Sequence, residues 1–391
     1  MSIRENLMKE VRNGLKGKNG SIPFPVAKLD NYIEIAKNTN YLLVGDTGSG
    51  KSTIAQDLIL NVLDWYYENV YEKTDDLKLS ILYFGMERKL YMYSAKWVSR
   101  MIYLKTGTLI PVKKILGRKR KKDPTTGKLT KEIDMLTEKE LKLVEDYAAI
   151  FDMWEQDDVF TCIEGTHNAT GIDKFIRAFA DKHGTLTALD KTDGNPLRKQ
   201  TYTPHHDNHI VMIVTDYVGI IDAEKDATTG MKKQKLDKYS ETMRKARDLF
   251  GFSPINIQQL NRSVSGTDRL KLNDVKPKLS DIADTSDLAR DADVVVAIFD
   301  PYRYLQEGAT TDLIGYDLGQ LKNDEGVKFY RSLHILKNSF DAEGIAIGVA
   351  FYPFTGSIKA MPKPPKNSVG TGMTDKDYEG IRNGAYFLDD N

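Results

Sequence analysis

The sequence predicts an α/β fold, a mostly parallel twisted sheet flanked by helices, and three observations carry it. Short apolar runs rich in β-branched residues alternate with stretches of helical periodicity. At one such junction Gly45-Asp46-Thr47-Gly48-Ser49-Gly50-Lys51-Ser52-Thr53 completes the pattern Gly-x-x-x-x-Gly-Lys-Ser/Thr. A third run, residues 210–215, is apolar almost throughout and ends on Asp216, so a carboxylate sits where a buried strand emerges.

The elements follow in order. Residues 41–44, Tyr-Leu-Leu-Val, suit a buried strand, and Ile54, Leu58, Val62 and Trp65 recur at helical spacing after the glycine loop. Residues 81–84 and 159–163 read as strands, the second followed by a helix around Ile172, Phe175, Ile176 and Phe179. Strand 210–215 leads to a helix through Tyr239, Met243, Ala246 and Phe250. Strands at 255–257, 294–299 and 333–336 come next, with 348–352 as a last, antiparallel one. In such a sheet the ligand lies at the carboxyl ends of the strands. Residues 1–22 read as an N-terminal arm and 23–360 as one domain of repeating strands and helices. Polar insertions at about 104–146 and 181–208 interrupt it, and 361–391 reads as a tail that wraps over a neighbour or stays mobile.

Composition narrows the function classes. With 40% hydrophobic and 29% charged residues the chain can bury one large core or two modest ones, which excludes global disorder. Its single cysteine, Cys162, excludes an internal disulfide and a thiolate metal site and reads as an inert buried strand residue. No run of about 18 apolar residues spans a bilayer and the first residues lack a secretory apolar segment, so a cytoplasmic location is expected. Lys plus Arg balance Asp plus Glu at 56 each, so any affinity for nucleic acid must come from local patches. Residues 118–122 and Lys232, Lys233 and Lys235 are such patches, both in loop-like surroundings.

The chemistry follows from the loop. Its glycines let backbone N–H groups point inward at phosphate oxygens, and the helix starting at Lys51 adds its positive end. Lys51 should reach the β and γ phosphates and Ser52 a magnesium ion, so ATP or dTTP with Mg2+ is the expected ligand. Asp216 is the expected second magnesium residue. Glu87, just past strand 81–84, is a candidate to orient the attacking water, and Gln259, at the end of strand 255–257, could contact that water and the γ-phosphate. The segment after it, 263–278, carries Arg269, Lys271, Lys276 and Lys278 and reads as a basic DNA-facing loop or a plain surface loop.

Five blocks together resemble the RecA-like motor domain of DnaB-type replicative helicases. They are the phosphate loop; Phe84-Gly85-Met86-Glu87, similar to that family's Ser-Leu-Glu-Met displaced by a residue; and Thr215-Asp216-Tyr217-Val218-Gly219-Ile220, similar to its Ile-Asp-Tyr-Leu-Gln-Leu. Gln258-Gln259-Leu260-Asn261-Arg262-Ser263 is nearly its Ser-Gln-Leu-Asn-Arg-Ser, and residues 278–294 resemble its Ser-Asp-Leu-Arg-Glu-Ser block. The resemblance implies a RecA-like P-loop NTPase core acting on single-stranded DNA as a ring-shaped homo-oligomer, a hexamer, with ATP hydrolysed between subunits. It implies that Glu87 is the catalytic glutamate, Gln259 the γ-phosphate sensor, and Asn261 and Arg262 the start of a DNA-facing loop. Residues 223–238 would form the other central-channel loop. A primase or a helicase loader is the implied protein partner, and a phage-encoded form would work in the host cytoplasm.

Two departures stand against a complete match. The family's Lys-x-Arg pair appears as Lys337-Asn338-Ser339, so the lysine is kept and the arginine is not; Arg331 or Arg303 would have to substitute, or hydrolysis would be slow. The family's helical N-terminal domain is not expected, because only residues 1–22 precede the motor blocks. The alternatives are a nucleotide-dependent DNA-gripping or loading scaffold with weak hydrolysis, and a RecA-like recombinase. A small-molecule kinase is disfavoured because no arginine-rich lid segment follows the loop.

Overall fold

A strand buried on both faces is largely apolar, and residues 41–45 and 210–214 fit this; every residue of strands 41–45 and 209–216 is buried, the polar His209, Thr215 and Asp216 included. The computed structural model describes residues 2–74, 76–165, 167–188, 200–224, 232–260, 275–304, 312–364 and 372–388. The chain divides into two compact units. The first comprises Met1–Glu87, Thr161–Phe299 and Leu333–Ala346, and the second Arg88–Phe160, Asp300–Ser332 and Ile347–Asn391. The span 23–360, expected as one domain, therefore contributes to both.

In the first unit, strands Val294–Phe299, Tyr41–Gly45, Ser253–Gln259, His209–Asp216 and Lys78–Gly85 are neighbours in that order, and each adjacent pair is parallel. The fold is RecA-like. Register aligns the carboxyl ends, with Gly45 opposite both Gln259 and Ile298, and Asp216 opposite Gly85. A buried polar network ties three of these strands. The Tyr239 hydroxyl donates to Asn256 Oδ1 at 2.6 Å and takes the Thr215 hydroxyl at 2.7 Å, while Asn256 Nδ2 donates to Asn40 Oδ1 at 2.8 Å. Such a network satisfies groups that would otherwise oppose burial.

Helix Lys51–Asn69 buries a wider stripe than expected, adding Ala55, Ile59, Leu63 and Tyr66, while Trp65 is only half-buried. The helix Lys232–Lys245 continues as a π-helical turn, Ala246–Phe250, so Ala246 and Phe250 remain on the buried face. Cys162 is half-buried rather than buried, because strand Phe160–Glu164 covers only some of its residues.

The polar insertions fold through local pairing. Residues 104–146 include a hairpin, Arg120–Lys122 with Leu129–Ile133, and the start of helix Glu138–Gln156, capped by Thr137 and Glu140. Lys114 bridges Glu140 at 2.7 Å and Asp134 at 3.5 Å. In the second insertion Gly184–Ala188 pairs antiparallel with Gln200–Pro204. A hairpin needs few apolar residues, so composition alone did not reveal these strands.

The second unit is held by aromatic packing. Trp97 meets Phe151 and Phe160 edge-on, with the nearly buried Trp154 beside them. Strand Ala346–Tyr352 pairs antiparallel with Ser357–Ala360, an element past the expected last strand. The expected C-terminal tail instead carries helix Asp375–Asn383, capped by Thr374. Tyr378, Ile381 and Phe387 join Tyr316, Phe329, Tyr330 and Tyr352 in one buried cluster. Their apolar faces bind the segment to its own unit, which corrects the reading of a free or neighbour-wrapping tail.

Buried histidines make the fold acid-sensitive. His209 lies 2.9 Å from the Ser80 hydroxyl, and burial, then Lys78 and nearby histidines, lowers it from 6.5 to about 3. Burial, with Lys276, lowers His334 from 6.5 to about 4. A depressed folded-state value means the unfolded chain binds protons first, so this stability is present above 6.5 and is lost as pH falls toward the folded values. Between neutral pH and about pH 5 each histidine should cost roughly 2 kcal/mol, read as a fall in denaturant midpoint. The pH-dependence should diminish in His334→Phe; an unchanged dependence would exclude that histidine as a source.

Candidate functional site

The phosphate loop is built by positions that only glycine fits. At Gly45 an added Cβ would lie 2.7 Å from the Ile298 carbonyl and 2.8 Å from Ser49 Oγ, and Gly48 and Gly50 adopt φ of 73° and 99°. Ser49 N–H donates to the Asp46 carbonyl at 3.1 Å and closes the turn. Gly50 caps helix Lys51–Asn69 without a side-chain bond, and the positive end of the helix dipole faces the loop, where an anionic ligand would be favoured. Lys51 Nζ donates back to the Asp46 carbonyl at 2.6 Å, within its own loop.

Asp216 is fully buried and stands one strand away from the phosphate-loop strand, with Ser253–Gln259 between them. Helix Lys51–Asn69 bridges that gap: Ser52 Oγ donates to Asp216 Oδ1 at 2.6 Å. Because the hydroxyl gives its proton to the carboxylate, its lone pairs stay available to a cation. Two hard oxygens so placed fit magnesium better than a soft metal. The other carboxylate oxygen, Oδ2, accepts from the Tyr83 hydroxyl at 2.9 Å, and Gln56 Nε2 donates to that hydroxyl at 3.3 Å. Neither Tyr83 nor Gln56 was expected from sequence, since each reads as an ordinary residue of a strand or helix.

Glu87 is exposed two residues beyond Gly85, the register partner of Asp216. Met86 N–H donates to the Asp216 carbonyl at 3.0 Å and pins this exit from the strand. Burial raises the Tyr217 phenol above its usual range, helped by the charges of Glu87 and Asp216, so these groups share one field. Gln259 Nε2 donates to the Thr47 hydroxyl and joins the interposed strand directly to the phosphate loop.

The expected trans-acting cations are otherwise employed. Lys337 Nζ donates to the carbonyls of Ala292, Arg290 at 3.0 Å and Ala289 at 3.4 Å, capping the carboxyl end of helix Ser286–Asp291. Arg331 is 6% exposed; it lies 3.4 Å from Asp300, donates to the Tyr330 carbonyl and covers the Phe351 ring. It is a core arginine. Arg303 also lies 3.4 Å from Asp300 but remains partly exposed.

Of the expected DNA-facing residues, Lys232, Lys233 and Lys235 begin a helix rather than lie in a loop. Lys233 is exposed and Lys235 Nζ approaches the Ile221 carbonyl at 3.4 Å. Cations at a helix amino end oppose its dipole, a cost that Lys233 offsets in part by lying near Asp237 one turn on. Asn261, Arg262, Arg269 and Lys271 lie outside the described residues.

Comparison with known proteins bears on the fold and on part of the chain. Residues 164–328 match the DnaB-like helicase C terminal domain. That span contains Asp216 and Gln259 but not the phosphate loop or Glu87. A solved structure of a DnaB-like replicative helicase, studied with its interactions with primase, is similar at a TM-score of 0.58 and 15% identity, covering 92% of this chain and 68% of that one. A solved ATPase domain is similar at 0.59 and 15% identity, covering 92% of this chain and 98% of that one. No curated protein sequence matches. Among the described residues no helix is long and apolar enough to cross a membrane.

The cap formed by Lys337 is testable. Lys337→Met keeps the stem and removes the charge, and should cost about 1–2 kcal/mol of unfolding free energy in urea. Unchanged stability would mean that the ammonium does not cap the helix.

Proposed function

We propose that this chain is an ATP-driven motor of the DnaB type that moves along single-stranded DNA as a ring, most simply a hexamer, with ATP held between subunits. The observation that carries this reading is the convergence of four groups at the carboxyl edge of one parallel sheet. They are the phosphate loop, the Ser52–Asp216 pair, Glu87, and the Gln259 bond to Thr47. The helicase-domain match over 164–328 supports it.

The chemistry divides among this chain's residues. Loop N–H groups and the helix amino end would bind the phosphates, and Lys51 would exchange the Asp46 carbonyl for a phosphate oxygen. Ser52 and Asp216 would hold Mg2+, which would supply charge neutralisation to the phosphates. Glu87 would orient the attacking water. Gln259, already bonded to the loop, would carry the γ-phosphate state into the segment that begins with Asn261 and Arg262, while Lys232, Lys233 and Lys235 would meet the DNA backbone. A primase or loader is the expected protein partner, by analogy with the similar helicase studied with primase, and the cytoplasm the expected location.

A second reading has one specific observation in its favour. Lys337 is bound to its own helix end, Ser339 stands where an arginine is expected, and Arg331 is buried. Without a supplied cation hydrolysis would be slow, and the assembly would grip or load DNA rather than unwind it.

Steady-state ATP hydrolysis with and without single-stranded DNA separates these readings. Turnover by the parent should rise with DNA and fall by about 100-fold or more in Lys51→Ala and Glu87→Gln. Mass measured with a nonhydrolysable analogue should show a nucleotide-dependent hexamer. A monomer whose turnover ignores DNA would exclude the motor, whereas tight DNA binding with negligible turnover would favour the gripping assembly.

A further inference from the structure

A buried carboxylate needs its acceptor sites filled, and Asp216 has one oxygen for the metal side and one for the protein. Oδ1 faces Ser52 at 2.6 Å, and Oδ2 takes the Tyr83 hydroxyl at 2.9 Å. Tyr83 is 0% exposed on a strand whose neighbouring positions, Ile81, Leu82 and Phe84, are apolar. Its register partner is Val214, two residues before Asp216, so both side chains stand on the same face of adjacent strands. A phenylalanine there would fill the same space without the oxygen. Behind Tyr83, Gln56 is 4% exposed and donates to the same hydroxyl at 3.3 Å. The direction is determined by proton count. A hydroxyl has one hydrogen, which an ionised Asp216 requires, so the Gln56 amide must present its NH2 and not its oxygen. Gln56 Oε1 is left buried with no hydrogen-bond partner among the described residues.

We propose that Tyr83, with Gln56 behind it, is a positioning residue that orients Asp216 so that Oδ1 and the Ser52 hydroxyl face a divalent cation together. Neither residue touches the nucleotide. They act through Asp216, as outer partners orient a ligand of a metal centre. The inference rests on the proposed Mg2+-nucleotide site and refines it.

The test uses the full chain and a fluorescent nonhydrolysable ATP analogue, with dissociation constants measured in excess Mg2+ and in EDTA. The ratio of the two reports the cation's contribution, which a merely structural role would not change selectively. In Tyr83→Phe that ratio should shrink about 10-fold, and in Gln56→Met about 3-fold, with EDTA binding unchanged in both. Folding is checked by thermal melting, and if Tyr83→Phe fails to fold, Gln56→Met decides. Folded variants with the parent's ratio, or with equal losses in Mg2+ and EDTA, would overturn the proposal while leaving the site intact. A parent whose nucleotide binding ignores Mg2+ would overturn the site and this proposal together.

Discussion

Strand register is the constraint on which the candidate site depends. Five parallel strands bring Gly45, Gln259, Asp216 and Gly85 to one edge, and each is held there by pairing along its whole strand. A slip of one residue would turn Asp216 to the opposite face, away from Ser52 and Tyr83. Burial on both faces opposes such a slip. The polar network through Tyr239, Asn256, Thr215 and Asn40 adds directional bonds that apolar packing lacks.

The same edge explains how the glycine loop and Asp216 come together although their strands are not adjacent. The interposed strand ends on Gln259, whose amide reaches Thr47, and helix Lys51–Asn69 crosses to deliver Ser52 to the carboxylate. A change at the bound nucleotide would therefore meet the end of the interposed strand before the segment that follows it.

The cations tell a different story from the carboxylates. Lys337 and Arg331 are each satisfied within their own unit, one by helix carbonyls and the other by a buried aspartate and an aromatic face. A cation whose donors are already satisfied by close partners must give them up before acting elsewhere, which costs free energy. These cations are thus where this chain departs furthest from the family it resembles.

Much was legible in the sequence because local rules wrote it. The phosphate loop, its helix, the buried strand before Asp216 and the exit to Glu87 follow from glycine placement, apolar runs and helical spacing. The hairpins in the polar insertions and the docking of helix Asp375–Asn383 were not legible, since hairpin pairing leaves little apolar signature and docking depends on distant aromatic partners. Nor could sequence reveal that Tyr83 and Gln56 flank Asp216, or that Lys337 turns to a helix end. Those contacts join residues far apart along the chain, and only the packing of strands and helices decides which side chains meet. Sequence by itself singled out the glycine loop and the carboxylate at the end of a buried strand; the tertiary structure decided how their oxygens are oriented, because orientation is a property of neighbours and not of residue type.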